Sequence, residues 1–347
     1  MVFRTSLVVS AICAGMLASL SACRVTDMML WRPLTKQGTS DCEVEPLRDV
    51  AYYDGPHLDR TRHKLDLYLP KGRTDFPVVM LVHGGAWLLG DNRCCGLYSS
   101  VGECLASQGV GVVMPNYRLS PTIKHPEHIR DIARAFAWTH ANISKHGGDP
   151  NQLFLVGHSA GGHLVALLST DEQYLKAEGR SINDIRGVVG LSGVYAIPPG
   201  KTDVHLFGSS PDSLRLASMT PLRGESNPPR KRVFDGPGLP ISLNIFGPAF
   251  GDSVEVRRAA SPVTHVRAGL PPFLLMVAEN DLPLLPEMAE QMHRKLMEHQ
   301  CRSQFMKVDR RNHNTILFQA FSRDDQVLQT IMQFVRENSH GPRAEAK

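Results

Sequence analysis

At 347 residues, 42% hydrophobic and 21% charged, the chain has apolar material for a sizeable core and the make-up of an ordinary soluble globular protein. Its formal net charge is only +4, and no long Lys/Arg block accompanies it, which argues against a nucleic-acid-binding surface. The densest basic run, Arg230-Lys231-Arg232, lies in a Pro/Gly-rich stretch and reads as a solvated loop.

In chain order, Arg4 gives a short positive start, Leu7 to Leu20 is apolar or small throughout, and no acid precedes Asp27. That is a secretory signal pattern over residues 1–22, too short and wrongly flanked for a membrane span. Its end, Leu20-Ser21-Ala22-Cys23, resembles the lipobox of bacterial lipoproteins. The resemblance implies lipidation of Cys23, and so an exported, membrane-anchored protein facing the periplasm or the cell exterior. The competing reading is plain secretion with cleavage after Ala22, or an uncleaved anchor. Residues 23–45 are polar and irregular, as a tether would be. Of 7 cysteines, setting aside Cys13 and Cys23 leaves Cys42, Cys94, Cys95, Cys104 and Cys301. This odd set matches no metal-ligand spacing, and its pairing is open.

One domain is expected over residues 46–340. Asp49 to Tyr53 and His63 to Leu69 alternate polar and apolar residues, as a half-exposed antiparallel pair would. Pro77 to Val82, Gly109 to Met114, Gln152 to Val156, Gly187 to Leu191 and Pro272 to Ala278 are apolar runs of the kind buried on both faces of a sheet. Ser303 to Val308 closes the series. Between them, Ile129, Ile132, Phe136 and Ile143 share one helical face, and Met288, Met292 and Leu296 another. Ser322 precedes a last helix carrying Val327, Leu328, Ile331, Phe334 and Val335, with Asp325 placed to cap it. The alternation predicts an α/β class, with a mostly parallel sheet covered by helices on both faces. A Pro-, Gly- and Ser-rich stretch, about residues 196–256, follows the sixth strand. It is too long for a structureless loop and is expected to form a cap or lid.

Two motifs carry chemistry. Gly157-His158-Ser159-Ala160-Gly161 matches G-x-S-x-G between a predicted strand, Gln152 to Val156, and a predicted helix, Gly162 to Ser169. A sharp turn there exposes a nucleophilic Ser159 at the sheet edge, with glycines removing side chains that would clash. The helix N-terminus adds free N–H groups and a positive dipole end. His83-Gly84-Gly85-Ala86-Trp87 follows the strand ending at Val82. Small residues let the backbone approach a developing oxyanion, and the N–H groups of Gly85, Ala86 and, less surely, Gly84 would join that of Ala160.

With Asn116-Tyr-Arg-Leu-Ser-Pro121 and Gly147-Gly-Asp-Pro150, these two motifs resemble the carboxylesterases related to hormone-sensitive lipase. Ala86 in place of a third glycine, with Trp87 after it, is closer to the branch with prenylcysteine methylesterase-like and feruloyl-esterase-like members. The resemblance covers roughly residues 46–337 apart from the insertion. It implies the α/β-hydrolase fold, a small-molecule ester as substrate, no cofactor and no metal, and a Ser–Asp–His triad in that chain order.

The acid is then Asp281, in the loop after Pro272 to Ala278, with Glu279 the runner-up. The base is His313, in Arg311-Asn312-His313-Asn314 after the final strand. The other histidines after Asp281, His293 and His340, fall mid-helix and in a polar tail. His158 and His163 read as packing or hydrogen-bonding groups. His125 and His128 flank Glu127 without the spacing of a zinc motif. Tyr117 and Arg118 are expected to brace the oxyanion loop, while Trp87 either lines the substrate pocket or packs beneath it. Hydrolysis of a carboxylic ester through an acyl-enzyme is the leading expectation. An amidase, peptidase or acyltransferase on the same triad is the second, and a non-catalytic binding protein on the same fold the third.

Overall fold

A computed structural model of the chain describes residues 42–199, 204–206, 241–243, 246–320, 322 and 324–339. The signal pattern, Cys23, the tether up to residue 41, most of the 196–256 insertion with Arg230-Lys231-Arg232, and His340 lie outside the described residues. The chain divides into two units. In the smaller, an antiparallel pair, Val204–Leu206 with Ile241–Leu243, is described. All that follows concerns the larger unit, Ser40–Gly200 with Phe246–Lys347.

Its sheet has eight strands: β1 (Val44–Ala51), β2 (Lys64–Pro70), β3 (Phe76–Val82), β4 (Gly111–Pro115), β5 (Gly148–His158), β6 (Ile185–Leu191), β7 (Phe273–Asn280) and β8 (Ser303–Asn312). They are ordered β1-β2-β4-β3-β5-β6-β7-β8. β1 pairs antiparallel with β2, and β2 antiparallel with β4; from β4 to β8 every pairing is parallel. Five helices of ten or more residues are described: α1 (Leu97–Ala106), α2 (Glu127–Asn142), α3 (Ala160–Thr170), α4 (Leu285–Glu298) and α5 (Gln326–Ser339).

The apolar runs became the central strands because both sheet faces are covered. Val78 to Val82, Phe154 to Val156 and Val188 to Leu191 are buried along their whole length. The predicted helical faces go inward as well: Ile129, Ile132 and Phe136 on α2, Met292 and Leu296 on α4, and Val327, Leu328, Ile331, Phe334 and Val335 on α5 are all buried. Asp325 starts α5 by accepting the Val327 N–H at 2.9 Å, which satisfies one of the donors that a helix N-terminus leaves open.

Two strands differ from their sequence pattern. β2 reads as half-exposed, yet Leu65 to Pro70 are all buried. Its polar member, Asp66, is covered because Arg93 donates to both carboxylate oxygens at 2.6 and 2.7 Å, while the Asp49 N–H adds a third bond at 2.9 Å. A buried carboxylate with such partners avoids the desolvation cost that otherwise keeps Asp at the surface. β8 runs past Val308 to Asn312, opposite Asn280 of β7 after an irregularity in the register. α1 is absent from the sequence reading, since its apolar positions, Val101, Leu105 and Ala106, are too few to show a period.

The parallel strands direct their C-terminal ends to one edge of the sheet. In open α/β sheets that edge is where ligands bind.

Candidate active site

Ser159 stands between β5 and α3 with φ 56° and ψ −120°, a conformation that costs an L-residue roughly 1–3 kcal/mol. The surroundings impose it. A Cβ on Gly157 would lie 2.3 Å from the Gly161 carbonyl oxygen, and one on Gly161 only 2.1 Å from that of Val82. Both glycines of the pentapeptide are therefore required by backbone contact. The Ser159 N–H is held by the Leu191 carbonyl at 2.9 Å, so the elbow is anchored on β6.

His313, just past β8, places Nε2 3.0 Å from Ser159 Oγ and Nδ1 2.8 Å from Asp281 Oδ1. Asp281 follows β7, and its side chain is fully covered. Its Oδ1 also accepts the Leu282 N–H at 2.8 Å, and its Oδ2 accepts the Ala278 N–H at 3.0 Å and the Ser192 hydroxyl. Burial alone would raise this carboxyl's pKa. The hydrogen bond and charge of His313, with Ser192 and Ala278, outweigh burial and bring it below the ordinary carboxylate value. The other residues considered for these roles are engaged elsewhere: Glu279 accepts the Arg310 N–H at 2.7 Å, and His293 bonds Ser303 at 2.9 Å. Ser192 is a member of the site that the sequence reading missed. The available signal was its position, immediately after the last residue of the apolar run Gly187 to Leu191.

The turn after β3 closes on the elbow: a Cβ on Gly84 would lie 2.9 Å from the His158 carbonyl oxygen and 3.1 Å from Ser159 Cβ. Gly85 has φ 115°, and Ala86 and Trp87 follow at φ 52° and 60°. A side chain at Gly85 would strike the Leu89 carbonyl oxygen at 2.1 Å. One correction concerns the donors of this turn. The Gly84 N–H donates to Tyr98 Oη at 2.7 Å and is thereby occupied. Gly85, Ala86 and Ala160 remain, with N–H groups that donate to no acceptor among the described residues.

Trp87 is 2% exposed, so it packs. It donates to His163 Nδ1 at 3.3 Å, lies edge-on to Phe250 at 4.8 Å, and its carbonyl accepts the Ser120 N–H at 2.8 Å. Tyr117 braces the turn as expected, stacking on His83 at 4.4 Å and donating to the His83 carbonyl at 3.1 Å. Arg118 acts elsewhere. It makes a two-pronged pair with the fully buried Asp131 of α2, at 2.9 and 2.8 Å, and reaches Glu127 at 2.8 Å.

Four buried histidines surround this machinery. Burial lowers His83 to about 4 and His128, His158 and His163 to about 3. Above about pH 6.5, the ordinary imidazole value, these rings are neutral in both folded and unfolded chains. Below it the unfolded chain takes up protons that the folded chain refuses, so stability falls as pH drops toward 4. At about pH 5.5 each such ring costs on the order of 1 kcal/mol relative to neutral pH, a sum over the four that is a sizeable share of a typical domain's stability. The thermal midpoint is expected to drop steeply between about pH 6.5 and pH 5.5. A flat profile over that interval would show that the rings are protonated in the fold.

A mostly parallel sheet covered by helices, with a serine on a strand–turn–helix elbow and a Ser–His–Asp chain across the strand ends, defines an α/β-hydrolase fold. Comparison with known proteins agrees. Residues 65–200 match the BD-FAE family. Esterase LipC of Mycobacterium tuberculosis is 32% identical over 248 residues, 70% of this chain and 53% of that protein. The isoprenylcysteine alpha-carbonyl methylesterase ICME of Arabidopsis thaliana is 37% identical over 153 residues, 43% of this chain and 34% of that protein. The chain thus spans about half or less of these curated relatives. Among solved structures, esterase B from Lactobacillus rhamnosis superimposes with a TM-score of 0.66 at 18% identity, covering 94% of each chain. A hyperthermophilic esterase from the archaeon Pyrobaculum calidifontis gives 0.61 at 21% identity, covering 86% of this chain and 84% of that one. At such identities the likeness concerns the fold. The resemblance read from the four motifs holds, since all of them fall within the matched residues.

Proposed function

We propose that the chain is a serine carboxylesterase. The observation that carries this reading is the unbroken run from Ser159 Oγ through the His313 ring to Asp281, at 3.0 and 2.8 Å, beside a turn with open N–H donors. Ser159 Oγ attacks the ester carbonyl carbon while its proton passes to His313 Nε2. The carbonyl oxygen gains charge within reach of the Gly85, Ala86 and Ala160 N–H groups, and Asp281 stabilises the imidazolium. Collapse expels the alcohol, which takes the proton from Nε2. Water, activated by the same nitrogen, then releases the acid.

An ester is favoured over an amide by the relatives, which are named esterases and methylesterases. The test is a fluorophosphonate probe followed by a panel of alkanoyl esters and matched anilides. Labelling of the wild type that disappears in Ser159→Ala, with turnover of esters well above anilides, is expected. An unlabelled wild type would sink the reading, and faster anilide turnover would move it to an amidase.

The chain is further proposed to be exported and held at a membrane through lipidated Cys23, on the strength of Leu20-Ser21-Ala22-Cys23. Incorporation of a radiolabelled fatty acid is expected in the wild type and should be lost in Cys23→Ala, together with cleavage after Ala22. Normal processing of that variant would contradict the anchor.

A further inference from the structure

His158, the variable second residue of the Gly157–Gly161 pentapeptide, is 3% exposed and takes no part in the steps above. Its ring is nevertheless bonded at both nitrogens. Nδ1 lies 3.2 Å from Tyr98 Oη, and Nε2 lies 2.7 Å from the main-chain carbonyl oxygen of His313. The rings of His158 and His313 are 4.9 Å apart.

The direction of every proton in this run follows from the two ends. The Gly84 N–H can only donate, so Tyr98 Oη is its acceptor at 2.7 Å. Tyr98 is therefore left to donate its own proton, and His158 Nδ1 receives it. At the far end the His313 carbonyl can only accept, so Nε2 carries the hydrogen. One neutral tautomer satisfies both contacts, and burial keeps the ring neutral and the Tyr98 phenol protonated.

We infer that Tyr98 and His158 are positioning residues: a hydrogen-bonded relay, Gly84 N–H to Tyr98 O–H to His158 to the His313 carbonyl, that fixes the base loop against the oxyanion turn and the elbow. This rests on the esterase reading of the site. The oxyanion turn and the elbow follow β3 and β5, which pair directly as far as Val82 and Gly157. The base loop follows β8, an edge strand three positions from β5 that pairs with β7 alone, so a side-chain link to the elbow is what ties it to the other two. The relay supplies it at the residue adjoining Ser159. It also removes Gly84 from the donors of the turn, leaving Gly85 and Ala86 to face the substrate oxygen. Tyr98 sits on α1, packed edge-on against Phe318 at 5.1 Å, which anchors the relay outside the moving chemistry.

The test measures the rate of Ser159 phosphonylation by a fluorophosphonate, together with kcat and KM on a p-nitrophenyl ester. A misplacement of about 1 Å costs on the order of 100-fold, so His158→Ala is expected to slow phosphonylation and kcat by about 10- to 100-fold, with KM within about threefold. His158→Gln, whose amide N–H can reach the same carbonyl, should recover most of that loss. Tyr98→Phe keeps the ring and its packing but leaves the Gly84 N–H and His158 Nδ1 without the phenol, so it should lower the rate by about tenfold and the thermal midpoint by a few degrees. It carries the test if His158→Ala fails to fold. Wild-type rates in Tyr98→Phe, or a His158→Gln as slow as His158→Ala at equal stability, would overturn the relay. Because the comparison is made on a labelled wild type, an esterase reading that is itself wrong shows first, as absence of labelling in every variant.

Discussion

Replacing Ser159 or His313 by alanine is expected to lower kcat on a p-nitrophenyl ester by about five to six orders of magnitude, the loss seen when a member of such a unit is removed. The two residues form one device. Ser159 Oγ has the nucleophilicity of an ordinary alcohol unless a base takes its proton, and the base proposed for it, His313 Nε2, lies 3.0 Å away. The double variant should therefore be hardly worse than either single one. What remains above the uncatalysed rate would come from the Gly85, Ala86 and Ala160 donors and from substrate binding, about three to four orders of magnitude. A Ser159→Ala protein that retained a tenth of wild-type turnover would place the chemistry elsewhere.

Asp281→Asn is expected to cost about four orders of magnitude in kcat, and the geometry explains why a nearly isosteric change is so severe. Each carboxylate oxygen receives two donors: His313 Nδ1 and the Leu282 N–H on Oδ1, the Ser192 hydroxyl and the Ala278 N–H on Oδ2. An asparagine amide turned either way sets its NH2 group against two hydrogen-bond donors. Turned toward His313 it also forces the ring into the tautomer that leaves Nε2 protonated and unable to accept from Ser159. Ser192→Ala removes one of the four bonds and leaves the carboxylate, so its loss should be smaller. Glu279→Gln, on a side chain committed to the Arg310 N–H, should leave kcat within about twofold, as is usual for surface changes away from the chemistry. An Asp281→Asn enzyme of near wild-type activity, or a crippled Glu279→Gln, would exchange the two acids' roles.

Most of the central sheet was legible because burial on both faces leaves a trace in one dimension: an uninterrupted apolar run such as Pro77 to Val82. The elbow was legible for a related reason. Backbone atoms that approach within about 2 Å of where a Cβ would stand admit only glycine, and Gly157 and Gly161 record that contact. β2 was misjudged as half-exposed because alternation measures polarity, while the burial of Asp66 depends on Arg93, twenty-seven positions away.

The sequence by itself singled out the elbow serine and the strand that carries it, because residues close together in the chain record that turn where backbone geometry restricts the choice of side chain. The order in which acid and base follow came from the resemblance to known carboxylesterases. Only the tertiary structure decided that Gly84 gives its N–H to Tyr98, that Arg118 serves Asp131 and not the oxyanion turn, that Trp87 packs, and that Ser192 and His158 hold the acid and the base. Each of those is a hydrogen bond or contact between segments 13 to 155 residues apart. A polar side chain in a sequence carries no mark of its partner, because the bond is set by where two strands end in space.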